Sequence, residues 1–293
     1  MKKIRKNWKA SLGFLLPALL LYTVFLFIPV CLSIGYAFTD WNGFGTMRFV
    51  GFDEFRKLFQ DENFYIAIGN NVSLLLSSVF LICPIALILA VIISSEIKGY
   101  RFFRFALFLP QVLSTVVVSL IWSFVFNPQF GLLDAILRAA GLERFIHLWL
   151  ADRNIAFRSV LVVNAWYYTG YTMVILLSAV NNIPREILEA AGIDGASWGQ
   201  RITKITLPLI WENIKVAVLL GIAGSMKAFD LVYVLTKGGP GHSTELLATY
   251  LYKQSFSSYN YGYGSAISLV ILVLGLSLSL LMQKVMKKEV IEY

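Results

Sequence analysis

The sequence has little of what disulfide scaffolds, metal centres and soluble domains are built from. Its 293 residues include two cysteines and two histidines, and 14% are charged, against about 25% in a typical soluble domain. Cys31 and Cys83 both lie within apolar stretches, and His147 and His242 stand apart in polar loops. These residues therefore predict neither a disulfide framework nor a metal site.

A nucleotide-binding motif is also missing. No stretch reads G-x-x-x-x-G-K-[ST], the pattern whose backbone amides and lysine hold phosphates. The glycine-rich run 238–241 predicts a turn and not a phosphate cradle, because no lysine follows at the required spacing. The basic residues lie in short loops between apolar blocks, which does not indicate a nucleic-acid module. We expect the chain to bind no cofactor of its own and no nucleic acid.

Long apolar runs are what the sequence has in excess. Hydrophobic residues make up 58% of the chain, and runs of about 20 residues are long enough to cross a bilayer. The first run exceeds the core of a signal peptide and predicts a retained helix. The pattern predicts an all-α polytopic membrane protein of about six transmembrane helices: Leu12–Phe38, Asn70–Ser94, Phe105–Phe126, Ala156–Val180, Leu209–Val234 and Ser265–Val285.

The distribution of basic residues predicts the orientation. With the N-terminus inside, fourteen of the 25 lysines and arginines fall on the inner side and nine on the outer side. The positive-inside rule then places both termini in the cytoplasm. The predicted organisation is an N-tail (1–11), a transmembrane domain (12–285) with a cytoplasmic loop (183–208) and an extracytoplasmic loop (237–262), and a C-tail (286–293).

The cytoplasmic loop 183–208 carries a helix–turn–helix pattern. Pro184 suits the first turn of a helix, and residues 185–191 have good helix propensity. Gly195 breaks that helix, and Ser197 is a suitable N-cap for a second one. On its own this pattern is also typical of an ordinary connecting loop.

The spacing within this loop resembles the EAA loop of binding-protein-dependent ABC importers. The sequence matches EAA, three residues, G, nine residues, I, one residue and LP at every fixed position. The resemblance implies an ABC importer permease fold and a loop that docks on a cytoplasmic ATPase, with Glu189 as its polar anchor. The matching positions are Glu189, Ala190, Ala191, Gly195, Ile205, Leu207 and Pro208.

Further segments resemble carbohydrate permeases of the maltose, lactose and glycerol-3-phosphate type. They are FLLPALLLYTVFLFIPV, FTDWNGFG and, towards the end, VYVLTKGGPGHSTELLATYLYKQSF. The resemblance implies sugar uptake across a bacterial inner or plasma membrane. It also implies a second homologous permease, two ATPase subunits that use ATP and Mg, and an extracellular solute-binding protein. Gly238, Gly239 and Pro240 become candidate contacts for that binding protein.

Polar and aromatic residues within the spans are candidates for a substrate path. Asn164, Tyr168 and Tyr171 share one helix face by their i, i+4, i+7 spacing, and Trp122 and Asn127 could join them. Amides and aromatic faces suit the hydroxyls and C–H faces of sugars. An interfacial aromatic belt is the alternative.

The fifth predicted span contains the two further candidates, Lys227 and Asp230. Their spacing allows them to pair on one helical face, either as a structural ion pair or as part of the path. Gly221 and Gly224 would let this helix bend or let another approach it closely.

Three rival functions remain open from the sequence. A secondary transporter should show internal repeats and paired interrupted helices, which are not evident and would leave the loop 183–208 unexplained. A membrane-embedded enzyme would need an acid–base or metal set at one depth. An ABC permease for a non-carbohydrate solute is disfavoured by the KGGP…STE ending.

Overall fold

The computed structural model describes residues 8–95 and 98–287, with backbone alone for 8–12. The predicted N-tail lysines and arginine before Trp8, Glu96, and the C-tail beyond Lys287 lie outside the described residues. The described part consists of helices joined by loops and turns, with one isolated β-bridge between Thr39 and Phe49. Its helices are α1 Gly13–Tyr36, α2 Asp53–Leu58, α3 Glu62–Ser94, α4 Tyr100–Val112, α5 Thr115–Val125, α6 Leu132–Ala139, α7 Ala156–Asn181, α8 Arg185–Ile193, α9 Trp198–Leu209, α10 Trp211–Lys227, α11 Asp230–Leu235, α12 Leu247–Tyr252 and α13 Tyr261–Val285.

Four of these helices, α1, α3, α7 and α13, are long and apolar enough to cross a membrane singly. Two bent pairs, α4 with α5 and α9 with α10, raise the number to six if each pair is one span. The third predicted span is thus not one straight helix, because α4 and α5 meet at 100°. Leu113 is extended there, and the Ser114 side chain caps α5 by accepting from the Val117 amide at 3.3 Å.

Proline explains three wide turns inside the long helices. π-helical turns at Thr23–Phe27, Ser78–Ile82 and Ile202–Thr206 each end two residues before a proline. A proline within a helix has no N–H to donate, and its ring clashes with the carbonyl four residues earlier. A wider turn relieves that clash without breaking the helix, so α1, α3 and α9 continue.

The smaller of two compact units contains residues 8–61 and 251–270. Gly262 donates its amide to the Trp41 carbonyl at 3.0 Å, and a Cβ at Gly262 would overlap the Thr39 carbonyl. The Tyr263 hydroxyl donates to Asp61 at 2.6 Å. On α2, the hydrogen bond to the buried Glu54 carboxylate is the main cause that raises the pKa of Lys57.

The larger unit contains residues 62–250 and 271–287, and every candidate site lies in it. Its main core is formed by buried apolar side chains of α3, α7 and α10, including Ala86, Ala90, Met173, Leu176 and Val218. Helix α4 packs closely on α7 at Gly170, where a Cβ would overlap the Leu107 carbonyl. A second core joins α5, α7 and α11 around Val118, Val163 and Leu231.

Candidate substrate cavity, outer loop and docking turn

A cavity of about 80 Å³ lies between α3, α7 and α10. It brings together all three residues of the helix face indicated by the i, i+4, i+7 spacing. Apolar side chains such as Leu74, Leu220 and Ala228 form much of the remaining wall. A few polar groups on an apolar wall are typical of small-molecule sites. The polar groups and the glycines that line it are Asn164, Tyr168, Tyr171, Thr172, Ser78, Ser225, Gly221 and Gly224.

The close approach of α10 to α3 shapes one wall of this cavity. A Cβ at Gly221 would overlap the Ser78 hydroxyl in its present rotamer, so the glycine allows α10 to lie close to α3, one of the two roles its position suggested. Ser78 begins the π turn of α3. The Ser225 hydroxyl donates to the Gly221 carbonyl at 2.8 Å. Sequence reasoning missed both serines, because single hydroxyls in an apolar run form no pattern.

Two other path candidates have local partners and do not line the cavity. Trp122 packs edge-on against Trp166 with ring centres 5.5 Å apart. The Asn127 side chain accepts from the backbone amides of Gln129 and Phe130 at 2.9 and 3.2 Å, which fixes the turn after α5. Both contacts serve the local fold.

Lys227 and Asp230 are separated by a break in the backbone. Helix α10 ends at Lys227, and Ala228 and Phe229 adopt non-helical angles before α11 begins. In the part of the chain that the structure describes, no ion pair within 4 Å joins the two, and both are exposed. Asp230 is near enough to Tyr168 to interact with it electrostatically. The bend expected near Gly221 and Gly224 thus lies at residues 228–229.

The outer loop after α11 folds around a buried carboxylate. Gly238 has a left-handed backbone with φ of 79°, and a Cβ there would overlap the carboxylate of Glu245, which is fully buried. His242 Nδ1 lies 3.1 Å from the same carboxylate. The Thr244 hydroxyl donates to the Gly239 carbonyl at 2.8 Å, and the Gly239–Pro240 bond is cis. The three candidate binding-protein contacts therefore sit on a defined turn.

Two adjacent asparagines tie this loop to α3. The Asn70 amide donates to the carbonyls of Ser243 and Glu245, each at 2.9 Å. The Asn71 amide donates to the Ser225 carbonyl at 2.7 Å and accepts from the Leu247 amide at 2.8 Å. Sequence reasoning did not single out this pair, although polar groups within an apolar run are costly and usually have partners.

The loop 183–208 forms the expected helix–turn–helix. Helix α8 ends in a Schellman turn: Gly195, with φ of 77°, donates to the Gly192 carbonyl, and Ala196 donates to the Ala191 carbonyl at 2.9 Å. The predicted Ser197 cap is confirmed, and with Gln200 it forms a capping box.

The residues matched to the EAA pattern divide by exposure. Glu189 and Ala190 are exposed, whereas Ala191 is buried against the fold. Ile205, Leu207 and Pro208 are half-buried in α9. Two apolar side chains that the sequence reasoning missed flank the turn: Ile193 is 88% exposed and Trp198 is 59% exposed. Exposed apolar groups beside a charged one are typical of an interaction surface.

Comparison with known proteins decides the family. The model of the binding-protein-dependent transport system inner membrane component matches residues 82–289. The chain belongs to this family. The inference of an importer permease with an all-α, polytopic membrane fold is thereby confirmed, and this permease is a transport component and a multi-pass membrane protein.

Relatives of this permease include several with named sugar substrates. It is 36% identical over 260 residues to a diacetylchitobiose uptake system permease of Streptomyces coelicolor, covering 84% of this chain and 73% of that one. It is 34% identical over 258 residues to a multiple sugar-binding transport system permease of Streptococcus mutans, covering 88% and 87%. A probable ABC transporter permease of Bacillus subtilis is 37% identical over 249 residues, covering 83% and 84%.

A solved structure matches almost the whole permease. It is a crystal structure of a bacterial alginate ABC transporter in complex with an alginate pentasaccharide-bound periplasmic protein. The TM-score is 0.85 at 26% sequence identity, and the match covers 98% of each chain.

Proposed function

We propose that this permease forms part of a sugar-conducting path in a bacterial inner or plasma membrane. A solute-binding protein delivers the sugar on the outer side, and the path runs through the cavity between α3, α7 and α10. The observation that carries the proposal is the convergence of Asn164, Tyr168 and Tyr171 on that cavity. Its amide, phenol and serine groups suit sugar hydroxyls, and its aromatic faces suit the C–H faces of sugar rings.

The energy source in this proposal is ATP hydrolysis in partner subunits. Two ATPase subunits would use ATP and Mg, and each would dock on one permease. On this chain the docking surface is the turn between α8 and α9, with Glu189 as the polar anchor and Ile193 and Trp198 as apolar contacts. A second homologous permease would complete the path, giving a heterodimer.

The cavity is tested by substitution of an aromatic side chain that lines it. Tyr168→Ala should lower sugar uptake by the reconstituted transporter about tenfold, which corresponds to about 1.4 kcal/mol. Tyr65→Ala removes an exposed tyrosine of α3 that does not line the cavity, and it should leave uptake unchanged. Equal uptake by the two variants would contradict the assigned path.

The docking turn is tested by charge reversal. Glu189→Lys should reduce sugar-stimulated ATPase activity of the co-purified complex and loosen ATPase binding. Glu143→Lys makes the same change at an exposed glutamate on the predicted outer side, and it serves as the control. Normal assembly and activity of Glu189→Lys would overturn the docking assignment.

Two alternatives give different results in the same preparation. A secondary transporter would move its solute under an ion gradient with the ATPase subunits omitted. A non-carbohydrate ABC permease would fail to respond when its binding protein carries sugars, and a thermal-shift screen of that binding protein against mono- and oligosaccharides would reveal this.

A further inference from the structure

A second cavity, of about 380 Å³, lies where the ends of α3, α4, α7 and α8 meet. It shares no lining residue with the substrate cavity. The end of α3, the basic start of α4 and the start of the docking helix α8 border it, so it lies at the predicted cytoplasmic surface of the membrane. The polar groups around it are Ser94, Tyr100, Arg104, Asn181 and Arg185.

Among the residues that the structure describes, the charged side chains that line this cavity are both basic. Arg104 and Arg185 are the charged residues among those that line it. Within residues 8–95 and 98–287, no carboxylate lies within 4 Å of the Arg104 guanidinium. Guanidinium groups bind phosphate oxygens through paired hydrogen bonds, and Tyr100 and Asn181 can supply further donors. The cavity therefore suits a phosphate group.

An apolar hollow adjoins the cavity along α4. Tyr100 and Arg104 line both spaces, and Arg101, Phe105, Phe108 and Val174 line the second, whose volume is about 440 Å³. Phe105 is 62% exposed. A free phosphate would occupy only the first space. A molecule with a phosphate and a hydrocarbon chain would fill both, with its chain lying beside the phenylalanines.

We propose that these two spaces form a binding site for an anionic phospholipid. Arg104 and Arg185 hold the phosphate, and the acyl chain lies against Phe105, Phe108 and Val174. Basic pockets between transmembrane helices on the cytoplasmic side are a known form of lipid recognition. Because Arg185 and Leu188 belong to α8, bound lipid contacts the docking helix directly. Lipid occupancy then stabilises the first turn of α8 and supports ATPase docking.

Direct lipid binding is the primary test. The complex, purified with its co-expressed subunits, is placed in phosphatidylcholine nanodiscs with trace photoactivatable phosphatidylglycerol, and labelling of this chain is measured. Arg104→Gln should weaken labelling about fivefold, the equivalent of about 1 kcal/mol for one basic residue. Lys98→Gln removes a cation from the loop before α4. Lys98 lines neither space, so this variant should label like the wild type.

Competition shows whether the bound phosphate belongs to a lipid or is free in solution, and conservative substitution shows whether the charge of Arg104 is responsible for the labelling. Excess unlabelled phosphatidylglycerol should compete, whereas inorganic phosphate and phosphatidylcholine should not. Arg104→Lys should restore most of the labelling. Arg185→Gln should also lower the labelling, and it replaces Arg104→Gln as the test if that variant fails to assemble. Labelling of Arg104→Gln at the wild-type level, or displacement by inorganic phosphate, would overturn the lipid site.

A functional readout links the site to α8. Sugar-stimulated ATPase activity should rise with phosphatidylglycerol content in the wild type and in Lys98→Gln, and this dependence should be lost in Arg104→Gln. The labelling assay needs neither sugar nor ATP, so it remains informative if the proposed transport function fails.

Discussion

Asn71 holds three elements together through one buried side chain. It joins α3 to the carbonyl of Ser225 in α10 and to the amide of Leu247 at the start of α12. Asn71→Ala would leave a buried acceptor and a buried donor without partners, at a cost of about 1–3 kcal/mol each. We expect a clearly lower melting temperature of the purified complex, measured by intrinsic fluorescence.

Ser73→Ala is the control for this substitution. Ser73 is half-buried on the same helix, and its hydroxyl donates to the Gly69 carbonyl one turn earlier. Its replacement should change the melting temperature little. Equal melting temperatures for the two variants would show that the Asn71 bridge contributes nothing to stability.

Gly221 and Gly224 form a natural pair for testing close packing. A Cβ at Gly221 would overlap the Ser78 hydroxyl, whereas nothing lies within 4 Å of a Cβ at Gly224. Gly221→Ala should destabilise the permease by about 1 kcal/mol, because the Ser78 hydroxyl must rotate away and the Ser78 Cβ would still lie 3.2 Å from the new methyl group. Gly224→Ala should be neutral, or stabilising by about 0.5–1 kcal/mol through better helix propensity. Thermal unfolding of both variants measures this, and the reverse order would contradict the packing.

At the scale of the element, apolar length predicted α1, α3, α7 and α13 because each is one uninterrupted run. It did not predict the 100° bend between α4 and α5, because the apolar content of a segment does not show whether its helix is straight. Pro110 and the capping residue Ser114 were the local signals there. The break at Ala228 and Phe229 has no glycine or proline, so it depends on tertiary packing that a sequence pattern does not encode.

The Schellman turn after α8 sets the direction in which α9 leaves. Gly195 has φ of 77°, in the left-handed region, which costs other residues about 1–2 kcal/mol. Gly199 does not have a positive φ. Gly195→Ala should distort the docking surface and lower sugar-stimulated ATPase activity several-fold. Gly199→Ala, with open space around its Cβ, should retain activity. The result to look for is a difference between the variants at equal complex yield.

At the scale of the whole molecule, sequence reasoning found one wall of the substrate cavity, and of the opposite wall it singled out only Gly221 and Gly224. Asn164, Tyr168 and Tyr171 could be grouped because helical spacing alone puts them on one face. The opposite wall, with Ser78 and Ser225, depends on how α3 and α10 approach each other. The same limit applies to Asn71, whose partners lie 154 and 176 residues away in sequence.

Two charged side chains flank the backbone break at Ala228 and Phe229. Lys227 and Asp230 are exposed on this chain and are not paired with each other in the described residues. A charge facing hydrocarbon at the centre of a span costs about 2.5–3.5 kcal/mol. We therefore expect both to face a water-lined seam with the second permease.

Cysteine accessibility tests this expectation. In a background with Cys31 and Cys83 replaced, Asp230→Cys should react with a membrane-impermeant maleimide added from outside, faster when the path opens outward. Leu276→Cys, at a side chain 58% exposed in the apolar helix α13, should remain unlabelled because it faces lipid. If the two positions react alike, the seam does not pass Asp230, and the path must leave α10 on another side.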